Sequence, residues 1–412
     1  ATEEVCETLS KLLKEDLHLK MSLFTVKAIH DIVKKKIQSV PPALLFTFLS
    51  LKINKVQNED KKSGKGFIRF KKYRLNKERT SKSKAKYDKQ LKKLESDLRE
   101  VEAAESLSTK LKTATDCMKE IFHIYFSVLR RMPSLALLEP VLEGLSKFAH
   151  LLSVEFFADM LKCMAELMDQ KHLRVLDSLH CIHTVFVILS EDGQALNVDP
   201  HKFYKSVYTL IGVLPFEKDQ EMRRRQCCML TRCLDMMINA RRKQVSLARV
   251  ASFTRRLLLT SLVLNDNAAL PLVAITRSFF VSHPKLACLV ENGEEEEGGG
   301  SVMYRPDGDD PDSSGAHTSD AFLELNRLAK RRHGAICTLS RNILHGVPSI
   351  GQYKVDPSLV TQKAWLLGED GEKETGGEPG AMTAIQAIAK KRKINVSSKN
   401  LYSLLLQWLA TL

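Results

Sequence analysis

Apolar residues recur at intervals of three and four along most of the chain, the period of an amphipathic helix. Thr2–Glu15 reads as one helix. A second spans 20–38, where Leu23, Val26, Ile29, His30 and Val33 share a face. Pro41 ends it, and Pro42 suits the first turn of the next, which carries Leu44, Leu45, Phe48, Leu51 and Val56. One long helix is predicted over 110–131, another from Pro140 through Leu142, Leu145 and Phe148, and a third that Ser153 can cap, with Phe157, Met160, Leu161, Met164 and Met168 as its stripe. Helices over 175–190, from Asp199-Pro200 through Phe203, Val207 and Leu210, and over 220–242, 245–264 and 268–282 follow. Shorter ones are predicted at 320–345, 382–391 and 398–409. Long helices joined by short turns, pair after pair, give a period near ~40 residues, that of HEAT and armadillo repeats. No exact repeat is visible. The pattern predicts an all-α, irregular HEAT/armadillo-like solenoid.

Three stretches break it. Residues 58–66 are polar with two glycines. Residues 291–319 hold a run of four Glu, three Gly and the acidic Asp307–Asp312, the composition of a disordered or loosely docked linker. Residues 368–380 form a second linker. The predicted organisation is helical repeats at 1–57, a basic arm and Lys-rich helix at 58–106, a central repeat domain at 107–290, the acidic linker at 291–319, a helical region at 320–367, the linker at 368–380, and basic and apolar helices at 381–412. The chain opens at Ala1 directly into a predicted helix, as expected of a piece of a longer protein.

Charge sharpens the picture. Residues 61–93 carry fifteen Lys and Arg against two acids, in a chain whose whole net charge is +14. Like charges so crowded repel and stay hydrated, and are neutralised by a polyanion. The candidate nucleic-acid contacts are Lys61, Lys62, Lys65, Phe67, Arg69, Phe70, Lys71, Lys72, Tyr73, Arg74, Lys77, Arg79, Lys82, Lys84, Lys86 and Lys89. Phe67, Phe70 and Tyr73 between cations suit stacking on unpaired bases better than following a regular duplex. Tyr87, Leu91, Leu94, Leu98 and Val101 then step by four and three, a short coiled-coil-like seam. Lys390, Lys391, Arg392 and Lys393 form a compact nuclear-import candidate. The last helix is apolar nearly all round and must be buried. Leu401, Tyr402, Leu405, Trp408 and Leu409 are therefore candidate partner contacts, docking in cis being the alternative. Arg223–Arg225, Arg241–Lys243, Arg255-Arg256 and Lys330–Arg332 read as solvated faces.

No apolar run reaches the ~18–20 residues of a membrane helix. Phosphate-loop, nucleophile-elbow, zincin and dinucleotide fingerprints do not occur, and Ser63-Gly64-Lys65-Gly66 lacks the first glycine and the hydroxyl of a phosphate loop. His180, Cys181 and His183 are the nearest approach to a metal cluster, but nothing nearby completes a tetrahedral set. No enzyme, metal, cofactor or small-molecule substrate is predicted. Nine cysteines without a CxxC spacing point to a reducing compartment.

Several stretches resemble the nucleolar complex protein 3 family. They are 141–157 (VLEGLSKFAHLLSVEFF), 178–190 (SLHCIHTVFVILS), 196–204, 241–246 (RRKQVS) and 100–106. Asp310-Pro-Asp312, Phe322-Leu-Glu-Leu325 and His333 resemble the hallmark of that family's CCAAT-binding-factor-like domain, with Leu323 in place of a Trp, Arg331 in place of a His and Gly334 in place of a Pro. The resemblance implies a helical-repeat protein of nucleolus and nucleoplasm. It would act in assembly of the large ribosomal subunit, pair with nucleolar complex protein 2 and ride on pre-60S particles; joined to the charge pattern, this makes pre-rRNA the expected ligand of the arm. It leaves two alternatives: a DNA-bound, replication-linked chromatin protein, or a nuclear adaptor whose arm is only an import signal.

Overall fold

The computed structural model of the chain describes residues 2–16, 19–53, 109–131, 134–151, 157–169, 173–190, 200–287, 290, 304–316, 323–367, 380–392 and 394–410. Among the described residues every regular element is helical, as expected. The chain forms two compact units, Ala1–Leu152 and Ser153–Leu412. The expected boundary at 106/107 therefore moves. The basic arm interrupts the sequence, but the helix after it packs back onto the helices before it.

In the first unit, α1 (Thr2–Glu15) and α2 (Lys20–Lys36) lead to the short α3 (Pro42–Phe46), then α4 (109–131) and α5 (Leu138–Phe148). Leu19, with φ 59°, turns the chain into α2. The Asp16 carboxylate accepts the Ser22 amide (2.8 Å) and hydroxyl (3.0 Å), satisfying a donor that a helix start leaves open. Val26, Ile29 and Val33 of α2 are buried, as are Ile121, Ile124, Tyr125 and Val128 of α4. Phe48 meets Tyr125 edge to face, centroids 6.1 Å apart. A Cβ at Gly144 would lie 2.0 Å from the Tyr125 hydroxyl, so α4 and α5 close together only over a glycine. Met21, Phe24 and Ile32, on the other side of α2, face solvent.

The second unit holds α6 (Phe157–Met168), α7 (Val175–Ser190), α8 (His201–Ile211), α9 (Gln220–Leu234), α10 (Leu247–Val263), α11 (Asp266–Ser282), α12 (Leu323–Leu328), α13 (Gly334–Leu344), α14 (Pro357–Thr361), α15 (Gly380–Lys391) and α16 (Leu401–Ala410). Helices α7, α9, α11 and α13 stack in one row, while α8, α10 and α12 stack in a second. Each repeat thereby covers the apolar faces of its neighbours, the packing of an irregular helical-repeat solenoid. Phe186 of α7, Tyr204 and Tyr208 of α8, and Phe253 of α10 join the rows through T-shaped contacts with centroids 5.2–6.3 Å apart. The α15–α16 pair packs on α10.

Several boundaries differ from the pattern. The helix expected over 220–242 passes at Asp235–Asn239 into a π turn, where the Tyr204 hydroxyl donates to the Met237 carbonyl at 2.9 Å. Asp266 starts α11 earlier than expected, with Pro271 inside the helix. The helix expected over 320–345 is two, because Arg331 turns inward and His333 caps α13, its Nδ1 accepting the Ile336 amide. Within the expected linker at 291–319, residues 304–316 are docked: Tyr304, Ser314 and Ala316 are buried. Acidic composition foretells disorder only where no cation waits, and here three arginines of α10 do.

Candidate functional sites

The arm residues Lys61–Lys89 and the seam of 87–101 lie outside the described residues. Of the import candidate, Lys390 and Lys391 form the exposed last turn of α15, with Arg392 just beyond it, and residue 393 lies outside the described residues. Cations at a helix C-terminus are favourably placed for its dipole.

The tail corrects the partner expectation. Leu401, Tyr402, Leu405 and Leu409 are buried in their own unit, and Trp408 lies against Arg327, 5.3 Å from ring centroid to guanidinium. The Tyr402 hydroxyl pairs with that of Thr260 at 2.9 Å, and its ring carries Arg256 at 4.7 Å. Burial lifts the Tyr402 phenol to about 12. An all-round apolar helix had to be covered, and its own α10 covers it. The apolar faces of α9 are likewise covered by α7 and α11.

Helix α10 organises this region. Ser246 caps it, accepting the Arg249 amide. One face then presents Arg249, Ser252, Arg256 and Thr260. Arg249 donates through Nε (2.8 Å) and Nη2 to both oxygens of Asp312, which holds that carboxyl below its usual range. Ser252 bonds to the Pro311 carbonyl and to Ser314. Arg256 stacks on Tyr208 at 3.5 Å and donates at 2.7 Å to the carbonyls of Tyr208, Pro306 and Gly308. Arg255 donates to Glu324 at 3.2 Å; burial raises the Glu324 pKa and outweighs the guanidinium. Arg331 donates to the carbonyls of Ser261 and Leu264 at the end of α10, and its Nε lies 2.6 Å from Asp266. Arg255-Arg256 and Arg331 are thus buried, which corrects their reading as solvated faces. The residues that sequence reasoning missed are Arg249, Arg255 and Arg256. Their one signal was a pair of arginines inside an otherwise apolar helix.

His201, Asp310 and Asp312 offer ligand atoms within 4.8 Å of one another. Asp312 already gives both oxygens to Arg249, and His201 Nδ1 lies 3.3 Å from the same carboxylate. The cluster is an ion-pair network that clips 304–316 to α8 and α10.

His180, Cys181 and His183 lie on α7. Burial first, then the nearby basic groups His183, Arg225, Arg232 and Arg174, pulls His180 down to about 3. Burial and Arg232 take His183 to about 4. Both imidazoles are neutral in the fold, whereas the unfolded chain protonates them near 6.5. The unfolded state then binds more protons, so stability falls as pH drops from about 6.5 toward 4. Urea midpoints at stepped pH should show that decline, and the double variant His180→Gln, His183→Gln should flatten it. Among the thiols, burial raises Cys117 and Cys227 to about 12, leaving them protonated and inert.

Residues 178–340, which take in most of α7, all of α8–α12 and most of α13, match the CBF/Mak21 family. That stretch of the solenoid, with its docked acidic segment, is similar to CBF/Mak21 proteins. The chain is 49% identical over 412 residues to a nucleolar complex protein 3 homolog of Caenorhabditis briggsae, covering 99% of this chain and 52% of the relative. It is 36% identical over 372 residues to the Mus musculus homolog, covering 89% and 45%. It is 25% identical over 362 residues to nucleolar complex-associated protein 3 of Schizosaccharomyces pombe, covering 79% and 48%. The chain is similar to nucleolar complex protein 3 homologs along nearly its whole length and spans about half the length of the curated relatives it matches. Those names agree with the nucleolar location expected from the sequence.

Proposed function

We propose that the chain is a non-enzymatic assembly factor in large (60S) ribosomal subunit biogenesis. It holds pre-rRNA through residues 61–93, and its helical body pairs with another helical-repeat protein, nucleolar complex protein 2, on pre-60S particles. The observation that carries this reading is the 49% identity to a nucleolar complex protein 3 homolog along nearly the whole chain. The concentration of net charge in one arm supports the RNA part. With the tail buried in cis, the partner part is supported by the exposed Met21, Phe24 and Ile32 on α2.

Replacing the arm's Lys and Arg by Gln tests the RNA contact. Binding of a pre-rRNA transcript should weaken, and the slope of log affinity against log salt should shrink by about 0.7 for each single-strand phosphate no longer neutralised. Equal affinity with an unchanged slope would reduce the arm to a loop or an import signal.

A further inference from the structure

Helices α7 and α9 are neighbours in one row of the second unit. Arg225 and Arg232 lie two turns apart on α9. Arg225 is exposed and Arg232 half-buried. On α7 the half-buried His183 lies near enough to Arg232 to feel its charge, and Arg174 sits at the start of the same helix. Arg174 is anchored on the buried Asp177 by two bonds of 2.8 and 3.0 Å and keeps its outer edge in solvent. The charged groups that act on the buried His180 beneath this face are all basic: His183, Arg225, Arg232 and Arg174. A further contributor comes from far along the chain. The ring of Trp365, itself half-buried, lies 5.8 Å from the Arg232 guanidinium and 4.9 Å from the Lys363 ammonium. An aromatic plane is thereby held among cations on the surface of the solenoid.

We infer that this face, built from Arg174, His183, Arg225, Arg232, Lys363 and Trp365, is a second contact surface for single-stranded RNA, separate from the basic arm. The cations would track phosphates and Trp365 would take an unpaired base, the combination used for single-stranded nucleic acid. An acidic protein segment could meet the same charges. It would have no use for an indole ring set between two of them, and the ring favours RNA. The neutral His183 can donate or accept a hydrogen bond at a base edge or ribose without adding charge.

The inference rests on the assembly-factor reading only in supposing RNA as the ligand, and the test separates the two. The full chain with the arm's Lys and Arg replaced by Gln is titrated with a fluorescent 20-nucleotide single-stranded RNA. Residual, salt-sensitive binding is expected. In that background Trp365→Ala should weaken it by at least about five-fold. Arg225→Gln should lower the salt slope by about 0.7. Both variants sit on the surface, and an unchanged melting temperature assigns the weaker binding to the RNA interface rather than to unfolding. In the parent chain, ultraviolet crosslinks should fall on the peptides carrying His183 or Trp365. No residual binding without the arm overturns the inference and leaves the arm's role standing. Residual binding indifferent to Trp365→Ala, and competed equally by polyglutamate, overturns it in favour of an acidic protein ligand. Full binding without the arm that is abolished by Trp365→Ala and Arg225→Gln upholds it and removes the arm from the function.

Discussion

Tyr402→Ala should destabilise the second unit by about 3–5 kcal/mol, the usual cost of emptying a buried aromatic site. The ring is fully packed against Gly212, Arg256 and Thr260. Its removal also takes away a cation–π interaction and leaves the Thr260 hydroxyl without this partner. Tyr402→Phe should cost only about 1 kcal/mol, the net value of one hydrogen bond. Urea denaturation followed by circular dichroism measures both. The pair also decides what the tail is for. A partner hot spot would weaken complex formation while leaving the isolated chain's unfolding unchanged; a core residue does the reverse, and burial in the structure predicts the reverse.

Arg256→Met is the second variant with a large expected effect. Methionine keeps much of the volume but offers no donors, so the buried carbonyl of Tyr208 and the half-buried ones of Pro306 and Gly308 lose their shared partner. Each abandoned buried acceptor costs about 1–3 kcal/mol, and relaxation should limit the total to about 3–5 kcal/mol, as when a buried charge network is broken. The effect should have an address. Residues 304–316 are tied to α10 through this guanidinium, through Arg249 and through Ser252, so an Asp-specific endoproteinase should cut at Asp307–Asp312 faster than in the parent. Arg256→Lys should rescue little, because an ammonium cannot reach three separate carbonyls while lying flat on Tyr208. A parent-like digestion pattern in Arg256→Met would show that Arg249 and Ser252 hold the segment by themselves.

The helices were legible because each must bury a stripe, and a stripe such as Phe157, Met160, Leu161 and Met164 is written locally. The hallmark at Asp310–Asp312 and Glu324 was legible as a resemblance, and these carboxylates are the ones that meet Arg249 and Arg255. The fate of Arg255-Arg256 was not legible. Two adjacent arginines look the same on a wet face and in a core, and the deciding partners lie 48 to 69 residues away in sequence. The tail was half legible: a helix apolar on every side must be covered, but nothing in 401–410 says by what. The Trp365 patch was illegible for the same reason, since Arg232 and Trp365, far apart in sequence, meet only in the folded unit.

The bond between Thr260 and Tyr402 spans 142 residues. A ribosome adding about 5–20 residues per second needs roughly 7–30 s to supply that partner. Until 304–316 is made the arginines of α10 lack that segment, and for the rest of the interval the Arg256–Tyr208 stack lacks Tyr402. Pairings this distant also slow folding after release, since the connecting loop must close before they form. The nascent second unit is therefore exposed to premature capture of its cationic face by any nearby polyanion, in a cell compartment rich in RNA. Arrival of 304–316 and then of α16 ends that exposure. Helix α16 acts in time as well as in space, because until it seats, the unit's buried charges are indistinguishable from a binding surface.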